Sequence, residues 1–261
     1  MDLLSKVPLV AQSCVVNTKH WTQEYPDGKQ VHCVYASMKI PAGTKLTGNP
    51  LGGHIFLGTT ARRGLLAESF GLWCKCERCS DPTECGTYLS GIICPNHSKD
   101  SPAYILPINP LDQNSDWKCT DITKCGNKVL GVGEIQRIMG PIEDKVYELT
   151  DSAAQLGFDQ LYRRSFSLEE YKLTMAMEKY DGELERVLHP NHYLKFQLRK
   201  QVLYGMNFIA TGIREGTIRH GILRRRSMGL QILERMFNIS KQCSELVVGV
   251  EPGLSIYYGK I

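Results

Sequence analysis

The sequence predicts an α+β fold in two parts: a first part of short strands that carries a cysteine cluster, then a part built of helices. Nine of the ten cysteines precede residue 128, and only Cys243 follows it. Before that point glycine, proline and cysteine interrupt short β-type runs. After it, apolar residues recur at three- and four-residue offsets, the spacing of one face of a helix.

Taken in chain order, Gln30 to Ala36 reads as a strand following the turn at Pro26-Asp27-Gly28. Pro41-Ala42-Gly43 forms the next turn and Lys45-Leu46-Thr47 a second short strand. Thr59 to Phe70 changes to a helical pattern, with Thr60 as its cap and Leu65, Leu66 and Phe70 on one face. Gly48, Gly52, Gly53 and Gly58 surround Pro50 without the spacing of a phosphate cradle, and read as loop. Downstream, Asn191 to Ile209 is a strong helix opened by His189-Pro190-Asn191, with Tyr193, Phe196, Leu203 and Met206 among its apolar positions. Ile218, Ile222, Leu223, Leu230, Leu233 and Phe237 mark another. Helix pairs of tetratricopeptide type would give this pattern, although no repeat of that period stands out.

Composition narrows the setting. Residues Met1 to Lys6 lack a basic region followed by an apolar core, so cysteines are expected as thiols in an intracellular protein of cytoplasm or nucleus. No apolar run approaches the roughly 20 residues that a membrane helix needs, which excludes a membrane partner of that kind. The net charge of +4 does not indicate nucleic-acid binding, and Arg224-Arg225-Arg226 reads as a solvated helix face.

Cys74-Lys75-Cys76-Glu77-Arg78-Cys79 is the most specific motif. Three thiols at this spacing can reach one ion but cannot easily pair among themselves. Zinc takes four ligands tetrahedrally and favours thiolates at structural sites, so a fourth ligand is expected from a distant part of the chain. Cys33, Cys85 and Cys243 have no partner spacing and read as small buried hydrophobes. His20, His32 and His54 lack a paired carboxylate or thiol and read as hydrogen-bonded structural groups, and no residue stands out as catalytic.

Several motifs together resemble a known family. They are Ser13-Cys14-Val15-Val16-Asn17-Thr18, Ile40-Pro41-Ala42-Gly43-Thr44-Lys45-Leu46, Gly58-Thr59-Thr60-Ala61-Arg62-Arg63 and the cysteine cluster continued by Asp81-Pro82-Thr83-Glu84. Gly86 to Ser90, Leu106 to Asp112, Trp117-Lys118-Cys119, Leu188-His189-Pro190 and Glu251 to Ser255 fit the same pattern. The chain resembles the SET-and-MYND (SMYD) family, in particular its insect msta-like branch. The resemblance implies a partial β-rich SET domain over 1–73, a post-SET zinc-binding region over 74–127 and an α-helical, tetratricopeptide-like domain over 128–261. The family's MYND finger and glycine-rich cofactor segment lie before everything matched, and its helical domain continues further. A chain shortened relative to the family is therefore expected.

For metal, the resemblance implies that Cys14 completes a zinc site with Cys74, Cys76 and Cys79. A second site is expected from Cys94, His97, Cys119 and Cys125, where the branch's two pairs of C-x-x-C type are altered to Cys94-x-x-His97 and a displaced Cys125. For activity, it implies methylation of protein lysines from S-adenosylmethionine, in which the deprotonated amine attacks the methyl carbon in line. Three departures imply that the site is inactive here. Ala11 and Gln12 stand in place of the cofactor-holding Asn-His pair, Pro50 in place of the channel tyrosine, and Leu72 with Trp73 at the position that packs on adenine. Two function classes follow: a lysine methyltransferase acting on a lysine-containing protein substrate, or a zinc-stabilised scaffold that holds a protein partner.

Overall fold

A computed structural model describes residues 11–126, 128–158, 167–214, 234–235 and 237–243. Its mixture of helices and small sheets agrees with the α+β expectation. The described residues fall into two compact units, one of residues 11–89 with Asn109–Gln113, the other of Ser90–Ile108 with residues 114–243.

In the first unit, β1 (Ala11–Gln12) pairs in parallel with β4 (Thr47–Gly48), while β2 (Thr18–Glu24) and β3 (Gln30–Ala36) form an antiparallel hairpin. β3 has the predicted bounds. Gly28 closes the hairpin turn at φ 76°, a left-handed conformation that glycine adopts without a Cβ clash. The second predicted strand is displaced from Lys45–Thr47 to Thr47–Gly48. The Asn17 side chain explains the shift: its oxygen accepts from the Thr47 amide at 2.7 Å and its amide donates to the Lys45 carbonyl at 2.9 Å. The glycine-rich stretch includes a 3-10 turn over Gly52–Phe56.

Helix α1 (Thr59–Phe70) also has the predicted bounds, but its cap is extended Gly58, not Thr60, and no side chain caps it. Its buried face is polar: Arg62 and Arg63 accompany Thr59 and Leu66 inside. Phe70 is half exposed, contrary to expectation, because left-handed Gly71 ends the helix immediately after it. The short α2 (Glu77–Ser80) follows. Leu51 and Leu66 pack with Cys14, Cys74 and Cys79 as the core of this unit.

The second unit begins with a four-stranded antiparallel sheet in the order β5 (Ile92–Ile93), β6 (Tyr104–Pro107), β7 (Trp117–Cys119), β8 (Val129–Leu130). The one-turn α3 (Ile122–Cys125) bridges β7 and β8. Strands this short have no legible alternation, which is why the sheet had no sequence signal. Three long helices follow, α4 (Val132–Gln155), α5 (Leu168–Leu184) and α6 (Tyr193–Arg214), packed on one another. The sequence placed α6 at Asn191 to Ile209; Leu194, Leu198, Val202 and Met206 supply its fully buried stripe. Helices α5 and α6 approach closely at Gly205, where a Cβ would lie 2.1 Å from Thr174 Oγ1. The helix expected across Ile218 to Leu233, and Arg224-Arg225-Arg226, lie outside the described residues, while Phe237 is exposed. Among the described residues no helix is long and apolar enough to cross a membrane.

Candidate metal centres

The first unit gathers Cys14, Cys74, Cys76 and Cys79 so that their sulfurs all lie within 4.8 Å of one another. Cys14 follows β1, Cys74 and Cys76 occupy the extended segment after α1, and Cys79 lies on α2. Ligands about 2.3 Å from zinc at the corners of a tetrahedron are about 3.8 Å apart. The sulfur of Cys14 is 3.6 Å from that of Cys79 and 4.0 Å from that of Cys74, so the spacing fits. The hydrogen bond with Cys14 lowers Cys74 to about 6 and also lowers Cys76, whereas Cys14 is raised by its bond to Cys74 and Cys79 by its bond to Cys14. Sulfurs this close compete for protons, and a divalent cation bound by four thiolates would displace them.

Around these sulfurs stand charged groups that lie within the quoted motifs but had no role assigned from the sequence. Arg62, fully buried, donates to Glu84 at 2.6 Å and to Thr59 Oγ1 at 2.9 Å, with its second nitrogen 3.8 Å from Cys79 Sγ. Arg78 donates to the Cys14 carbonyl at 3.4 Å and lies 4.0 Å from the same Glu84 oxygen. Arg63 donates to the Cys74 carbonyl at 2.9 Å and lies 5.3 Å from the Trp73 ring centre. Burial opposes the Arg62 charge, but Glu84, Cys14 and Cys79 outweigh it and its pKa is raised; Arg78 is lowered to about 10 by burial and by Arg62.

The second unit gathers Cys94, His97, Cys119 and Cys125 within the same 4.8 Å. Cys94 follows β5, Cys119 ends β7 and Cys125 ends α3, so the sheet and the one-turn helix set the geometry. His97 Nε2 is 3.3 Å from Cys125 Sγ and 3.4 Å from Cys119 Sγ, and Cys94 Sγ is 3.5 Å from Cys125 Sγ. Asn96 donates to Cys125 at 3.4 Å and, as the largest of several hydrogen bonds, lowers it to about 7; burial pushes Cys119 up to about 12. Both clusters could hold a zinc ion.

The remaining candidates stay apart from both clusters. Cys33 is partly exposed and Cys85 exposed, correcting their reading as buried residues: Cys33 lies on the two-stranded hairpin, and Cys85 sits in a left-handed turn at φ 58°. Burial raises Cys243 to about 11. His32 Nδ1 pairs with Thr22 Oγ1 at 3.2 Å and His54 Nδ1 lies 3.1 Å from the Leu51 carbonyl, as structural groups would.

Beside the first cluster an open cleft of about 490 Å³ is lined by Ala11, Gln12, Lys45, Leu72, Trp73 and Lys75, among others. Pro50 is exposed, and the neighbouring Asn49 is committed to the backbone, donating to the Ser13 carbonyl at 3.1 Å.

No protein-family model matches the chain. Two curated proteins do: the fruit fly (Drosophila melanogaster) SET domain-containing protein SmydA-8, isoform B, is 32% identical over 111 residues, and isoform A is 30% identical over 115. These stretches cover 42% and 43% of this chain but only 23% of each relative, so the chain spans about a quarter of their length. The matched stretch is therefore homologous to SMYD-like SET domain-containing proteins.

Proposed function

We propose that this chain is a zinc-stabilised scaffold of SMYD type, in which methyl transfer has been lost and a protein partner is held. One contrast carries the reading. Both thiol-rich clusters keep the spacing of tetrahedral zinc, whereas the cleft beside the first offers Ala11 and Gln12 where the family resemblance expects Asn and His. Lys45 and Lys75 at that cleft add positive charge, which disfavours the cationic sulfonium of S-adenosylmethionine. Residues 1–73 would be the SET part, 74–127 the post-SET part, and the helices after 128 the surface for a partner. Cys14, Cys74, Cys76 and Cys79 would hold one zinc, and Cys94, His97, Cys119 and Cys125 another.

A second reading is the family activity, lysine methylation of a protein substrate. The cleft volume of about 490 Å³ favours it, being ample for a nucleoside-sized cofactor stacked on Trp73. Calorimetric titration with S-adenosylmethionine, on protein whose zinc content is measured in the same sample, separates the two. The scaffold reading expects zinc at both centres and no saturable heat. Saturable binding overturns it, and the test then passes to methyl transfer on lysine peptides.

A further inference from the structure

Three guanidiniums and one carboxylate are buried around the first cluster: Arg62 is 0% exposed, Arg63 5%, Arg78 1% and Glu84 1%. Such groups are seldom buried unless their charge is answered. Glu84 answers one cation, leaving two positive charges uncompensated if the four cysteines are neutral thiols. Four thiolates around a divalent cation carry two negative charges, and the shell then closes to neutrality. The backbone is committed to this arrangement. Glu84 takes a left-handed φ of 55°, followed by Cys85 at 58°, a conformation unfavourable for residues with a Cβ. Asp81 holds that turn by accepting from the Thr83 amide, the Thr83 hydroxyl and the Cys85 amide, each within 2.8 Å. The strained turn delivers the Glu84 carboxylate between Arg62 and Arg78.

We infer that Arg62, Arg78 and Arg63, with Glu84 between the first two, form a charge-balancing outer shell that selects a tetrathiolate-bound divalent cation at the first centre. Arg62 approaches the Cys79 sulfur directly, while Arg78 and Arg63 fix the backbone of Cys14 and Cys74 through their carbonyls. These are positioning residues, acting through the cysteines. The inference rests on the zinc reading of that cluster and adds which groups tune it.

The test is zinc retention by the full chain against a graded chelator, with the cobalt(II) thiolate absorption of each centre as a second readout. Arg62→Met should release zinc from the first centre about 10- to 100-fold more readily, the usual effect of losing an outer-shell partner. Arg62→Lys, which keeps the charge, should restore most of that loss, and the second centre should be unchanged in both. Should Arg62→Met fail to fold, Glu84→Gln decides: it keeps an acceptor for Arg62 but removes the charge opposing the thiolates, so zinc should be held as tightly or more tightly. Equal loss in Arg62→Met and Arg62→Lys, or weakened zinc in Glu84→Gln, overturns the charge-balance inference while leaving the zinc reading intact. Wild-type protein without zinc at the first centre overturns the zinc reading itself.

Discussion

The Asp121 carboxylate lies 3.6 Å from Nδ1 of the buried His97 side chain, on the far side of the imidazole from the sulfurs of Cys119 and Cys125. The same carboxylate caps α3 by accepting from the Thr123 amide at 2.9 Å. It therefore sets a negative charge beside the imidazole, at a distance beyond a hydrogen bond, and at the same time anchors the turn that presents Cys125.

Two substitutions separate these roles. Asp121→Asn retains a good helix cap but not the negative charge beside His97, and should weaken zinc at the second centre by about 10-fold or more with little loss of stability. Asp121→Ala should in addition lose the cap of α3 and lower the urea midpoint further. Chelator competition and urea unfolding on both variants check this.

Chelation should destabilise the first unit most. Its core packs Leu51 and Leu66 on Cys14, Cys74 and Cys79, so the apo form leaves apolar residues around close-set thiols and two uncompensated guanidiniums. Stripping zinc with a strong chelator should lower the melting temperature and expose the thiols of Cys14, Cys74 and Cys79 to a thiol reagent, and zinc should reverse both. Unchanged melting after complete metal removal would contradict the prediction.

In the helical unit, Gly205→Ala should destabilise by about 1–3 kcal/mol or more, because the added Cβ meets Thr174 Oγ1 at 2.1 Å and Phe158 at 3.0 Å. Thr174→Ala removes the threonine atoms but not the Phe158 contact, so the double variant should recover part of that loss. A double-mutant cycle by urea unfolding measures the coupling.

Stability should fall as pH drops below about 6.5. Burial lowers His189 to about 4 and His192 to about 3, below their ordinary value of 6.5, so the folded state keeps both neutral while the unfolded chain takes up protons. Their contribution is complete above about pH 6.5 and is lost between there and the folded values. His192 Nδ1 accepts from the Leu194 amide at 3.2 Å, an acceptor that Asn can replace. Urea midpoints from pH 7 to 4 should show a shallower slope for His192→Asn than for wild type.

Asp181 faces two buried cations, Lys195 at 3.2 Å and Arg199 at 3.0 Å. Asp181→Ala strands both and should cost about 3–5 kcal/mol, whereas Glu148→Ala, which breaks the exposed pair with Lys145, should cost under about 1 kcal/mol. Paired denaturation curves decide between them.

The α+β class, the strand Gln30–Ala36, the bounds of α1 and the thiol-rich motif were legible in the sequence because each depends on local chemistry: alternation, turn residues, helical period and cysteine spacing. Local spacing also demanded a distant fourth ligand without naming it; family resemblance pointed to Cys14, and tertiary folding brings that residue beside Cys79 across 65 positions of chain. The sheet of two- to four-residue strands was invisible because strands that short carry no period of their own and exist through their neighbours. The burial of Arg62 and Arg63 on α1 had no local signal, since arginine is seldom buried unless its charge is answered. Only the tertiary structure turns them inward: Arg62 meets the Glu84 carboxylate and the Cys79 sulfur, and Arg63 the backbone carbonyls of Cys74 and Leu111.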